Sequence, residues 1–407
     1  MKKKMMMMTF LEEGLLVIIR KYKSICRAVL QYSPTIYKGL FVIIIGLCQL
    51  PSSQAQQLGL EINYQAGYNV PIHPRYPQIQ APSQGLEIAV LKKAKKERWW
   101  AALHQYPEIA YLMGYQSLGN ADVLGHAFYA MPSLNFRVFQ AGAFQGHFRI
   151  GWGLAYLTNS YHSVFNPQNI VMGAALNACA TVRFLTHYQL HPSWRIFLGL
   201  SASHYSNGGF VHPNLGINIP AVQVGVQYEW GEGPTLAEKK QYRAQLLAQL
   251  PAFDKTIRPF VRLALGGTEL STSQGVKYPI YGLAVGASKL LARTSKIRLG
   301  VDYMYNTAPR AFDQHQGTRV LPHWDYARLS IMAGHELLFG HWGLVSNLGV
   351  YLNAHRFQRS LLTAELGFNF YSSNYLKRQR QQFWLGCQVR TYGGEAEFVQ
   401  LVLGFQW

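Results

Sequence analysis

Between Trp194 and Ser206 apolar and polar residues alternate with the period of a strand. Trp194, Ile196, Leu198, Leu200 and Ala202 share one face, which His204 and Ser206 continue, while Arg195, Phe197, Gly199, Ser201, Ser203 and Tyr205 share the other. The end of the chain repeats the pattern, with Val399, Leu401, Leu403, Phe405 and Trp407 opposite Gln400, Val402, Gly404 and Gln406. Beyond residue 56 the same alternation, interrupted by Gly, Pro, Asn and Ser clusters, predicts strands near 58–70, 85–93, 108–118, 124–138, 144–157, 172–187, 191–206 and 217–230, and again near 257–271, 279–292, 295–306, 325–338, 342–352, 359–371, 381–392 and 396–407. Helical periodicity is confined to Thr235–Leu250, a charged, leucine-containing stretch between the eighth and ninth strands.

No apolar run approaches the ~18 residues of a membrane-spanning helix. The strands therefore predict an all-β fold, a transmembrane antiparallel β-barrel of about 12 to 16 strands with one short periplasmic helix. An even count puts both ends of the chain in the periplasm, with odd strands running outward. The simplest closure joins the strand ending at Trp407 to the first strand in one enlarged barrel. The helix is read as a solvated connector.

Composition narrows the setting. The 407 residues carry a formal charge of +19. The first 55 residues account for six of it, with eight Lys and Arg against Glu12 and Glu13. The apolar stretch Leu40–Cys48, preceded by Tyr37-Lys38 and followed by Ser53-Gln54-Ala55, reads as a secretory signal cleaved after Ala55, and residues 1–36 as an upstream extension outside the fold. An exported, strongly basic chain points to an anionic lipid surface and not to nucleic acid. Cys179 and Cys387, which remain after cleavage, have no metal spacing and no framework of pairs. The histidines other than His204 are scattered without a ligand cluster, so neither a metal nor a cofactor is expected.

The chemistry concentrates at the outward end of the seventh strand, in His204-Tyr205-Ser206-Asn207-Gly208-Gly209. Side chains two apart on a strand share a face at roughly 7 Å between Cα atoms, near enough for an imidazole to serve a hydroxyl. Ester hydrolysis needs that pair, a group holding the base, and donors for the oxyanion. His204 and Ser206 thus predict a base and nucleophile at the outer lipid boundary, where Asn218 of the returning strand has matching parity. Trp194, Tyr228 and Trp230 fall at the inner aromatic girdle.

The string from His204 to Gly209, with Pro213-Asn214 and Gly216-Ile217-Asn218 after it, resembles the outer-membrane lipid A deacylase family, PagL-like and also labelled acyloxyacyl hydrolase. Weaker similarity extends over about residues 100–230 and takes in Gly151-Trp152-Gly153-Leu154-Ala155-Tyr156-Leu157 and Asn166-Pro167-Gln168-Asn169 through Asn177. The resemblance implies removal of an ester-linked acyl chain from lipid A, with Ser206 as nucleophile and His204 as general base. It assigns Asn207, Gly208, Gly209 and Asn214 to building or supporting the oxyanion hole. The slot of the third triad member, a Glu in similar proteins, falls on Asn218. His212, beside this string, could grip a substrate phosphate. The expected partners are lipid A or lipopolysaccharide, outer-membrane lipid, and the barrel assembly machinery that reads the C-terminal strand.

These readings divide the chain into an extension with signal (1–55), a deacylase-like barrel half carrying the site (56–230), a helical connector (231–256) and additional barrel strands (257–407). Two alternatives stand beside the esterase: a porin or transporter-like barrel whose site is idle, and an outer-membrane phospholipase.

Overall fold

The computed structural model describes residues 58–94, 98–230, 236–250, 254–269, 275–353, 360–373, 381–392 and 395–407. The signal and extension expected before residue 56, and parts of the connector, lie outside them. Sixteen strands occur among the described residues, at the positions the alternation predicts. They are β1 Leu58–Gly67, β2 Ser83–Lys93, β3 Glu108–Ser117, β4 His126–Ala141, β5 Phe144–Leu157, β6 Leu176–His191, β7 Trp194–Ser206, β8 Ile217–Glu229, β9 Arg258–Thr268, β10 Tyr278–Ala292, β11 Ser295–Asn306, β12 Ala327–Phe339, β13 Trp342–Tyr351, β14 Leu362–Tyr371, β15 Gln382–Tyr392 and β16 Glu395–Gln406.

They do not form one enlarged barrel. β1 closes on β8, with Leu60 opposite Tyr228 and Gly67 opposite Ala221, and β16 closes on β9, with Leu403 opposite Leu263 and Phe405 opposite Val261. The result is two closed eight-stranded barrels, and the Trp407 amide donates to Pro259 O instead of pairing with the first strand. Alternation records which face a residue takes but not which strand it closes upon, so either closure satisfies the same pattern.

Both walls are inverted relative to a water-soluble protein. Along β1, Ile62 and Tyr64 face outward while Glu61, Asn63 and Gln65 are buried inside, and along β7 Ile196, Leu198 and Leu200 are exposed while Ser201 and Ser203 are buried. An apolar exterior around a polar lumen is the arrangement of a barrel wall that meets lipid. Eight strands leave an interior that side chains fill. In the first barrel Arg149 makes a bidentate pair with Glu61 at 2.7 Å, and Arg183 grips Glu87 at 2.6 Å while Tyr129 and Asn63 donate to the same carboxylate. In the second, Arg262 pairs with Glu365 at 2.7 Å and Arg390 with Asp302, and Lys296 and Arg298 share Glu336.

Toward the outer end the first lumen turns apolar. Leu118, Leu124, Leu157, Val171, Met172, Tyr205, Ile217 and Ile219 form its buried core, directly beneath the end of β7. At the opposite end Trp194 packs on Tyr228 with ring centroids 4.8 Å apart, and Tyr228 on Trp230 at 5.2 Å, an inner aromatic girdle.

Among the described residues three α-helices, and not the single one expected, accompany the strands, because loop segments outside the strand alternation also close helical turns: α1 Trp99–Leu103, α2 Leu236–Ala248 and α3 Ala308–His315, with a 3-10 turn at His323–Tyr326. α2 is the helix predicted between the eighth and ninth strands, but it is docked and not simply solvated, with Arg243 Nε donating to Ala102 O of α1 at 2.7 Å. None of the described helices is long and apolar enough to cross a membrane.

Candidate active site at the outer end of the first barrel

β7 and β8 run antiparallel with His204 directly opposite Asn218. The facing is as the parity predicts: His204 is exposed on the outer wall, and its Nδ1 lies 2.8 Å from Asn218 Oδ1. When Nδ1–H donates to that amide oxygen, Nε2 is left as the basic nitrogen. Gly216 makes room for the ring, since a Cβ there would stand 2.9 Å from His204 Cε1.

Ser206 departs from the predicted outward stripe. It is only 7% exposed. Pairing of β7 with β8 ends at Tyr205–Ile217, while pairing with β6 continues to Ala178–Ser206, so the strand is released on one side and the following loop folds back over it. Among the described residues no hydrogen bond joins Ser206 to His204. The hydroxyl instead sits against Asn214, donating to Oδ1 at 3.2 Å or accepting from Nδ2 at 3.0 Å, and it accepts the Gly208 N–H at 2.9 Å. The Asn207 N–H donates to Asn214 Oδ1 at 2.9 Å.

Asn207 shapes the turn that makes this possible. Its side chain donates to Val211 O at 2.9 Å and accepts Val211 N–H at 3.1 Å, closing the loop into a ring. Gly208 and Gly209 both have positive φ, +68° and +80°, where a side chain would be strained. Each also has a close neighbour: a Cβ on Gly208 would lie 2.3 Å from Val399 Cγ2, and one on Gly209 would lie 2.4 Å from Glu397 O. Both neighbours belong to β16 of the second barrel.

The 158–175 segment supports the loop from the other side. Asn166 and Asn169 donate to Val123 O, Asn169 Oδ1 accepts from Val171 and Met172, and Asn177 Nδ2 donates to Ala174 O. The segment then bonds the loop itself, with Gly173 N–H to Pro213 O at 2.6 Å and Leu215 N–H to Val171 O at 3.0 Å. Here the asparagines of the Asn166–Asn177 stretch serve as turn fasteners.

His212 lies on the same loop, and burial holds its imidazole below the ordinary histidine value, with Lys277 adding to the effect and Glu269 opposing it. That direction disfavours the charged ring that would hold a phosphate. Sequence reasoning missed Glu269 and Lys277 altogether. They reach the loop from the rim of the second barrel, and no local pattern marks a contact across so many intervening residues.

The site combines an imidazole held at Nδ1 by Asn218, a hydroxyl two residues away, and two N–H donors, Gly208 N and Asn214 Nδ2, converging on that hydroxyl. Chemically this suits acyl transfer from an ester.

Two protein families match the chain: the one described as lipid A 3-O-deacylase (PagL) over residues 84–227, and the one described as acyloxyacyl hydrolase, C-terminal domain, over residues 259–407. No curated protein matches it. Among solved structures it is similar to that of the outer membrane enzyme PagL, with 14% identity and a TM-score of 0.29 over 40% of this chain and 97% of the other. It is also similar to Neisserial surface protein A, with 7% identity and a TM-score of 0.30 over 42% of this chain and 96% of the other.

Proposed function

We propose, from the matches to the lipid A 3-O-deacylase (PagL) family over residues 84–227 and to the acyloxyacyl hydrolase C-terminal domain over residues 259–407, that the chain is an outer-membrane serine esterase that removes an ester-linked acyl chain from lipid A at the outer leaflet. The observation that carries the reading is the convergence at the end of β7, where His204 is fixed by Asn218 and the Ser206 hydroxyl is surrounded by the donors of Gly208 and Asn214. In this proposal residues 56–230 carry the site, 231–256 connect, and 257–407 supply the additional strands.

In the reaction, His204 Nε2 takes the proton of Ser206 as Oγ adds to the ester carbonyl carbon. The carbonyl oxygen becomes an oxyanion, stabilised by the N–H donors that in the resting site point at Oγ. Collapse of the tetrahedral adduct breaks the bond to the sugar oxygen, which leaves as an alcohol with the proton from His204. Water, deprotonated by His204, then attacks the acyl-serine, releasing the fatty acid and restoring Ser206. The resting hydroxyl is held by Asn214, so rotation about the Ser206 side chain brings it to His204 when substrate binds. Catalytic hydrogen bonds commonly tighten only in the substrate complex. The exposure of His204 on the outer wall supports a base within reach of an acyl ester of an outer-leaflet lipid.

A conducting pore fits less well. Buried ion pairs cross both lumens, Arg183–Glu87 in the first and Arg262–Glu365 in the second.

Mass spectrometry of lipid A from cells expressing the wild type beside Ser206→Ala and His204→Ala tests the proposal. One ester-linked acyl chain should be lost with the wild type alone. Unaltered lipid A in all three, with every barrel folded, overturns it, and glycerophospholipid cleavage with intact lipid A would replace it with a phospholipase.

A further inference from the structure

We propose that the second barrel positions the active-site loop of the first, through a clamp made by Glu269 and Lys277 on the backbone of residues 210–212. The inference rests on the esterase reading for its catalytic consequence and on geometry for the clamp itself.

Glu269 follows β9 and Lys277 precedes β10, so both sit at the outer rim of the second barrel. The Glu269 carboxylate is buried and divides its oxygens. Oε2 accepts the His212 N–H at 2.8 Å, and Oε1 accepts Lys277 Nζ at 2.6 Å. Lys277 Nζ also donates to Phe210 O at 2.5 Å and stands 4.5 Å from the centre of the Phe210 ring. Thr268 Oγ1 donates to Gly209 O at 3.2 Å. Thus three consecutive backbone units, Gly209, Phe210 and Val211–His212, are held by one ion pair and its neighbour. Charge-assisted bonds to a buried carboxylate are the stronger kind, and here the Glu269 end is buried while Lys277 reaches it from the exposed rim.

The loop so held is the one whose Gly208 N–H and Asn207 N–H organise Ser206 and Asn214. β16 adds the steric half of the clamp, because its Val399 and Glu397 occupy the space a side chain on Gly208 or Gly209 would need. Among the described residues the second barrel shows no His–Ser dyad of its own at the corresponding place. Its seventh strand ends Val389-Arg390-Thr391-Tyr392 before Gly393-Gly394, where β7 ends His204-Tyr205-Ser206 and passes through Asn207 to Gly208-Gly209, so Val389 stands where His204 does. A barrel without the base, packed on the loop that carries the nucleophile, is suited to positioning. Glu269 and Lys277 touch no reacting atom; they act through the backbone donors.

The test uses the full chain in detergent micelles, comparing wild type with Glu269→Ala, Lys277→Met and Lys277→Arg. Folding is checked by heat-modifiable gel mobility. Lys277→Met, at the more exposed end of the pair, keeps the measurement possible where Glu269→Ala fails to fold. Hydrogen exchange of the residue 207–213 amides should accelerate about tenfold or more in Glu269→Ala and Lys277→Met, with β6–β8 unchanged. On lipid A in mixed micelles, kcat should fall about tenfold or more with KM within roughly twofold, since misplacing oriented donors costs rate and not binding. Lys277→Arg should restore both. Wild-type exchange in the folded variants overturns the clamp, and faster exchange with unchanged kcat overturns its positioning role. A wild type that releases no fatty acid removes the esterase reading instead, and the exchange measurement then decides the clamp alone.

Discussion

His204 and Asn218 face one another across β7 and β8, and the consequence of an amide at that position is chemical. An amide oxygen fixes the imidazole tautomer but brings no negative charge to the imidazolium that forms during acyl transfer. Asn218→Asp keeps the acceptor at the same length and adds that charge, so kcat on lipid A should rise roughly tenfold or more, whereas Asn218→Leu should lower it. An unchanged kcat in folded Asn218→Leu would leave His204 without an orienting partner. Ser206 shows why parity alone misjudged exposure. Its Cα continues the face of His204, yet the returning loop covers it and its hydroxyl turns to Asn214 and Gly208.

Among the elements, the strands of the first barrel are joined across the lumen by ion pairs in addition to their ladders. Arg183 of β6 and Glu87 of β2 meet across the lumen at 2.6 Å, and Tyr129 of β4 and Asn63 of β1 donate to the same carboxylate. Four strands thus converge on one buried charge. Arg183→Met leaves that carboxylate without its counter-ion, and loss of one partner of a buried pair costs about 3–5 kcal/mol. Urea unfolding in micelles, followed by tryptophan fluorescence, should show a loss of that order, and removing both charges in Glu87→Gln with Arg183→Met should cost less than the single change.

For the whole molecule, closure decides the properties. A single sixteen-stranded barrel would enclose an aqueous channel, but eight strands fill their own interior. Planar bilayers containing the folded chain should therefore show no porin-sized conductance, and steady open-channel steps would contradict the two-barrel closure. Paired cysteines report the same topology directly. Leu403→Cys with Leu263→Cys should form a disulfide, as should Leu60→Cys with Tyr228→Cys, because those residues are opposite one another in adjacent strands. Cross-linking of residue 403 to residue 60 instead would restore the enlarged barrel.

Period-two alternation by itself located the strands within a count of about 12 to 16, and determined the lipid-facing wall and the facing of His204 and Asn218, because on a strand the side of each residue follows from its neighbours. The string from His204 to Asn218 likewise marked the candidate site, since its residues are local and their types suit ester chemistry. Tertiary structure alone decided that the strands close as two barrels, since the energetics of a ladder do not depend on how far apart in the chain its two strands lie. It also decided that Ser206 is covered, through the loop that returns over it. Only the packed molecule brings Glu269, Lys277 and Val399 to the loop of residues 207–213, because contacts between distant segments leave no periodicity and no spacing for a sequence to display.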